Sequence, residues 1–231
     1  MSQEKQNEKK MDRRSALKKL GGITAGAVLG GYSLKNSFSA QASNNNQDSE
    51  TTWPYSELDV EYVRKLGHEG YKLGNCGSAS FYAIMKALKE EIGQPYTEIQ
   101  VTPPNMMHFG GAGMGRYLCC GSLLGSFAAV NAVAEPETAN QIRDELFEWY
   151  ENASLPTDKA NQYAKNNEFF VNDYDKEIIQ TVAGSPMCED SVANWIGTAR
   201  IPFEDSLRGE RCSRVAGDTA AKTAELLNKY L

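Results

Sequence analysis

Leu118-Cys119-Cys120-Gly121-Ser122-Leu123-Leu124-Gly125-Ser126-Phe127-Ala128-Ala129-Val130-Asn131-Ala132-Val133-Ala134 is the stretch whose reading decides the fold. It carries no charged side chain, and its residues are small or apolar almost all round. A helix of that kind in a soluble chain is a central, buried one. Gly121, Gly125 and Ala128 would let neighbouring backbones come close.

The segments on either side read as helices that could surround it. Leu58, Tyr62, Val63 and Leu66 recur at helical spacing and predict a first helix running to about Leu73. Asn75 is a good N-cap for a second, which Cys76 opens. Phe81, Ile84, Met85 and Leu88 give that helix an apolar face, and Gly93 ends it. Glu135-Pro136-Glu137 restarts a helix with Ile142, Leu146, Phe147 and Trp149-Tyr150 as its apolar side. Leu155-Pro156-Thr157 begins a short one. Ser185-Pro186 reads as a cap and first helical position before Cys188, Val192, Trp195 and Ile196. Gly209-Glu210-Arg211-Cys212 opens the last helix, with Val215, Ala216, Thr219, Leu226 and Leu227. Tyr96 to Val101 could be extended, and Asn166 to Asp175 is irregular. Strand signal is slight and no repeat is visible. The expected class is all-α: a compact multi-helix bundle around the buried Gly/Ala-rich helix 118–134.

The first 42 residues are not part of that bundle. Arg13-Arg14 is followed by a mild apolar run from Leu20 to Leu34, and Ala40-Gln41-Ala42 offers a small-residue cleavage site. These are the parts of an export signal of the twin-arginine (Tat) type. The apolar run is shorter than the ~18–20 residues that span a bilayer, although retention as an anchor stays open. Residues 43–52 are polar and expected to be a disordered linker, leaving 53–231 as one domain. Segment 1–42 holds eight of the 24 Lys and Arg and three of the 30 Asp and Glu, so the remainder has net charge −11. So acidic a domain is a poor nucleic-acid binder. The expected location is periplasmic or otherwise extracytoplasmic.

Upstream of the buried helix lies Met107-His108-Phe109-Gly110-Gly111-Ala112-Gly113-Met114-Gly115-Arg116-Tyr117. Its glycines do not make a dinucleotide loop. Arg116 stands where the last glycine is needed, and no clear strand precedes it. His108 and Arg116 flank the cysteines and are candidates to support a site there. His68, in Gly67-His68-Glu69-Gly70, reads most simply as a helix-surface residue. Neither histidine follows a Cys-x-x-Cys pair, so covalent haem attachment by that motif is excluded.

All five cysteines lie beyond residue 42. Cys76, Cys188 and Cys212 each fall in the first turn of an expected helix, and Cys120 near the start of another. Helix N-termini favour thiolates and offer N–H donors to sulfur. Four thiolates suit an iron–sulfur cluster or a structural zinc. In an exported chain, widely spaced cysteines ordinarily form disulfides. Two features weigh the other way: five cysteines leave one odd, and the Tat route carries proteins already folded.

Asn75-Cys76, then Phe109-Gly110-Gly111-Ala112-Gly113-Met114-Gly115-Arg116, then Cys120-Gly121-Ser122-Leu123-Leu124-Gly125, then Cys188 and Cys212 resemble the C_GCAxxG_C_C family of redox-active proteins. Ser122 stands where that family usually has Ala in Cys-Gly-Ala-x-x-Gly, and Cys119 is extra. The export signal and cysteine core are also similar to those of split-Soret cytochromes, which carry an iron–sulfur cluster beside haem. The resemblance implies a metal site at Cys76, Cys120, Cys188 and Cys212, with Cys119 as an alternative ligand or redox thiol. The expected function is electron transfer through an iron–sulfur cluster, taken as [2Fe–2S]. Thiol–disulfide chemistry with the same cysteines, or structural zinc, are the alternatives. The expected partner is another redox protein, membrane-associated or free, and a homodimer stays open. No acid–base pair or nucleophile–histidine arrangement marks an enzyme site.

Overall fold

The computed structural model describes residues 52–99, 111 and 118–231. Segments 1–42 and 43–51, His108 and Arg116 lie outside the described residues. Seven helices are described: α1 (Val60–Gly74), α2 (Cys76–Ile92), α3 (Gly121–Val133), α4 (Pro136–Asn152), α5 (Asp158–Lys165), α6 (Cys188–Ala199) and α7 (Ser206–Tyr230). A two-residue antiparallel pair, β1 (Ser154–Leu155) with β2 (Thr181–Val182), is the only sheet among them. The class is all-α, as the periodicity predicts. No described helix is long and apolar enough to cross a membrane.

Local chemistry explains the helix ends. The Asp59 carboxylate accepts from Glu61 N and Tyr62 N at the start of α1, and Asp205 accepts from Leu207 N at the start of α7. Pro136 occupies the first turn of α4, where its missing N–H costs nothing. Asn75 sits between α1 and α2 at φ 89° and makes no side-chain cap. Its role is conformational: asparagine tolerates the positive φ that turns the chain sharply into Cys76. Two expectations shift. Tyr96–Glu98 forms a 3-10 turn rather than a strand. Met187, not Ser185, is the cap position of α6, because Pro186 is held in an extended pairing described below.

The centre is shared. α3 is buried through Leu123, Ser126, Ala129, Val130 and Val133, as its composition predicts. The larger hub is α7, which packs against α1, α2, α3, α4 and α5. Ala216, Ala220, Ala221 and Ala224 keep it slim enough to be surrounded. At 25 residues it is roughly 37 Å long. Several of its buried polar residues are ion-paired: Asp218 takes Arg64 of α1, and Glu210 takes His68 of α1 and Arg214. His68 is therefore not a surface residue. It is fully buried, its ring stacked on Phe169 at 3.7 Å.

Candidate metal centre

The four cysteines come from four helices, and the fold brings them to one place. Cys76 is the first residue of α2, Cys188 the first of α6, and Cys120 the cap residue of α3. Cys212 differs from its expected position. α7 starts at Ser206, so Cys212 lies in its second turn and has no helix N-terminus behind it.

A short antiparallel pairing registers two of them. Cys120 N donates to Pro186 O at 2.8 Å, and Cys188 N donates to Leu118 O at 2.8 Å, around the bridge Cys119–Met187. In an extended pair, alternate side chains face opposite ways. Cys120 and Cys188 therefore share one face, and Cys119 turns to the other. Gly111 closes against this pairing. Its N–H donates to Cys119 O at 2.7 Å, and a Cβ on it would stand 3.0 Å from Cys188 Sγ. With φ +46°, the position also suits glycine for its backbone.

Cys76, Cys120, Cys188 and Cys212 line one narrow pocket of about 20 Å³, with Ser122, Tyr150, Ser191, Val192, Arg211 and Val215. Cys119 does not line it. None of the five cysteines is in a disulfide. Among the described residues, no three or more His, Cys, Asp or Glu side chains are arranged to hold a single metal ion.

The helix-terminus argument for easy ionisation does not carry Cys76. Burial pushes its thiol well above the ordinary range, and the neighbouring sulfurs of Cys120, Cys212 and Cys188 add to this. Its backbone contact with Gly77 works the other way and is outweighed. Burial also raises Cys119, to about 11.

Three residues missed by sequence reasoning surround the sulfurs. Arg211 is 2% exposed, and no Asp or Glu among the described residues pairs with it. One Nη donates to Ser191 Oγ at 2.8 Å, the other stands 4.0 Å from Cys212 Sγ, and Nε has no hydrogen-bond partner. Burial works against its charge, but the facing Cys212, Tyr150 and Cys120 keep it fully protonated. A buried cation without a counter-ion costs on the order of several kcal/mol, so the pocket is built to hold negative charge. Tyr150 is fully buried, donates to Ser191 Oγ at 3.0 Å, and is pushed up by burial and by Cys120. Tyr71 adjoins Cys212 and Cys76, which raise it further after burial. The signal for Arg211 was its place beside Cys212. Tyr150 had been assigned to an apolar face, where a hydroxyl gives no warning.

Ser122 also contacts the site. Its Oγ lies 3.1 Å from Cys120 Sγ and 3.1 Å from Thr219 Oγ1. Thr219 in turn donates to Val215 O at 2.7 Å. A hydroxyl here adds a partner to the Cys120 sulfur that alanine could not provide.

A family model described as "Putative redox-active protein (C_GCAxxG_C_C)" matches residues 75–226, about two thirds of the chain. The chain belongs to the C_GCAxxG_C_C family. The match begins at the Asn75-Cys76 turn and takes in all four pocket cysteines. The chain is also 27% identical over 225 residues to split-Soret cytochrome c of Desulfovibrio desulfuricans, covering 94% of this chain and 77% of that protein. A solved structure of that cytochrome superposes with a TM-score of 0.64 at 27% identity, covering 77% of this chain and 71% of that one. That structure is reported for a novel iron centre. As a C_GCAxxG_C_C protein this chain is of a redox-active kind, and its pocket is where the family's four cysteines meet.

Proposed function

We propose that the pocket holds an iron–sulfur cluster, of the [2Fe–2S] type, through Cys76, Cys120, Cys188 and Cys212, and that the exported protein passes single electrons to a redox partner. The observation that carries this is the convergence of four sequence-distant cysteines on one pocket beside a buried, carboxylate-free arginine. Four thiols and a fixed cation suit an anionic cluster. The novel iron centre of the similar cytochrome supports iron as the metal.

When bound, the cluster would supply a one-electron couple. The chain's own residues do the rest. Cys120 caps α3, and Cys76 and Cys188 open α2 and α6, so three of the sulfurs are carried at helix starts. Ser122 Oγ stands 3.1 Å from Cys120 Sγ while donating to Thr219 Oγ1. Tyr150, Val192 and Val215 keep water from the inner wall.

Anaerobic purification with a visible spectrum and iron, sulfide and zinc analysis tests the reading. Charge-transfer bands with iron and sulfide are expected. Cys120→Ser should abolish the colour, and Cys119→Ser should keep it. A colourless, metal-free protein with titratable thiols would defeat the proposal in favour of thiol–disulfide chemistry. Zinc without colour would favour a structural site. Secretion of a fusion to residues 1–42 that is lost on Arg13→Lys with Arg14→Lys tests the export step.

A further inference from the structure

We propose that Arg211 is the resident counter-charge of the cysteine pocket, a positioning residue that sets the reduction potential of the group held there. This rests on the iron–sulfur reading above.

Three geometric facts lead to it. Arg211 is almost wholly buried, so bulk water does not solvate its charge. Its salt-bridge options are missing among the described residues, whereas the other buried arginines have carboxylates: Arg64 pairs with Asp218 and Glu61, and Arg214 with Glu210. Its guanidinium is aimed by Ser191, which takes one Nη at 2.8 Å while also accepting from Tyr150 at 3.0 Å. The other Nη is turned to Cys212 Sγ. The Nε proton has no acceptor among the described residues.

Helix geometry explains why the cation points here. Arg211, Cys212, Val215 and Thr219 lie on one face of α7. Glu210 and Arg214 lie on the face toward His68 and Asn161. Among the described residues, the long helix thus separates a neutralised polar network from a pocket lined by the unneutralised cation Arg211. Arginine suits the place better than lysine for aiming, because a planar fork can hold Ser191 and still present N–H groups to sulfur.

The consequence follows from charge. A cluster held by these cysteines would accept one electron from a reduced one-electron carrier, one ferric ion going to ferrous as the carrier is oxidised by one electron. No bond forms or breaks, and no proton is needed. The site gains one negative charge. A fixed cation in a low-dielectric pocket stabilises the reduced form more than the oxidised form. Removing it therefore lowers the potential.

The test compares wild type, Arg211→Gln, Arg211→Lys and Ser191→Ala, each purified anaerobically as the full chain. Iron and sulfide content, far-UV circular dichroism and a mediated dithionite titration are read for each. Arg211→Gln should weaken stabilisation of the reduced form about tenfold, which is 59 mV for a one-electron couple. Arg211→Lys should shift less than half as far. Ser191→Ala keeps the charge and should stay near wild type. An iron-bearing Arg211→Gln with an unchanged potential would overturn the proposal, as would Arg211→Lys falling as far as Arg211→Gln. Should Arg211→Gln fail to fold or to retain iron, the two charge-keeping variants decide. Iron retained with a potential near wild type supports the role, and loss of iron in either overturns it. A wild type without iron would defeat the iron–sulfur reading itself. An iron-bearing wild type indifferent to position 211 would defeat only this inference.

Discussion

Gly125→Ala should be among the most damaging single-methyl additions to this protein. Gly125 lies on α3 where it crosses α2, and a Cβ built there would stand 2.1 Å from Gly77 O and 2.6 Å from Ser80 Oγ. An ordinary C···O contact begins near 3.3 Å, so α2 and α3 must separate by about 1.2 Å. The nearest atom is backbone and cannot rotate away. Overpacking of this kind costs about 1–3 kcal/mol, and a rigid backbone neighbour puts it at the upper end. Replacing a helical glycine returns about 1 kcal/mol. The net loss is therefore about 2 kcal/mol, or a fall in Tm of about 4–8 °C for a domain of this size. Gly197→Ala on α6 is the control, since nothing lies within 4 Å of its Cβ position. There the same methyl should stabilise by about 0.5–1 kcal/mol. Urea and thermal unfolding followed by circular dichroism measure both. The site should respond too, because Gly77 follows Cys76 directly and Gly125 lies one turn beyond Cys120. Gly125→Ala should retain less iron, and Gly197→Ala the wild-type amount. A Gly125→Ala protein within 0.5 kcal/mol of wild type would refute the close approach on which this reasoning rests.

Two further predictions concern the buried polar groups that tie α7 to α1. Asp218→Ala should destabilise by about 3 kcal/mol, the lower end for a broken buried pair, because it leaves the buried Arg64 with Glu61 alone and frees Thr157, whose N and Oγ1 each donate to Asp218 at 2.7 Å; equilibrium unfolding would show a much smaller loss if the carboxylate were dispensable. Burial holds the His68 pKa below its ordinary value despite Glu210. The unfolded chain then takes a proton that the folded chain refuses, so this contribution is fully present above about pH 6.5 and is lost as pH falls. The urea midpoint should drop between pH 7 and pH 5, and His68→Gln should flatten the drop; an unaltered slope would show that His68 is not the group responsible.

How much of this could be read beforehand depends on the range of the interaction. Periodicity and punctuation are local, so the helices at Cys76, Pro136, Asp158 and Cys188 fall close to where the residues predict them. The lack of charge from Leu118 to Ala134 marked a buried helix, and Gly125 marked its close contact. The start of α7 was misplaced because Gly209 reads as a break, although Asp205 had already capped the helix. His68 was misplaced for a different reason. Its burial depends on Glu210, 142 residues away, and on Phe169, neither of which is local to it.

The sequence by itself determined the helical class and the four cysteines of the family motif, because both are written in short-range pattern and residue type. Only the tertiary structure decided which sulfurs face one another. The pairing of 118–120 with 186–188 sets Cys120 toward the pocket and Cys119 away from it, by the two-residue alternation of extended chain. The same is true of Arg211. Its meaning lies in having no carboxylate partner among the described residues, and that is a property of the space around a side chain, which a linear string of residues does not hold.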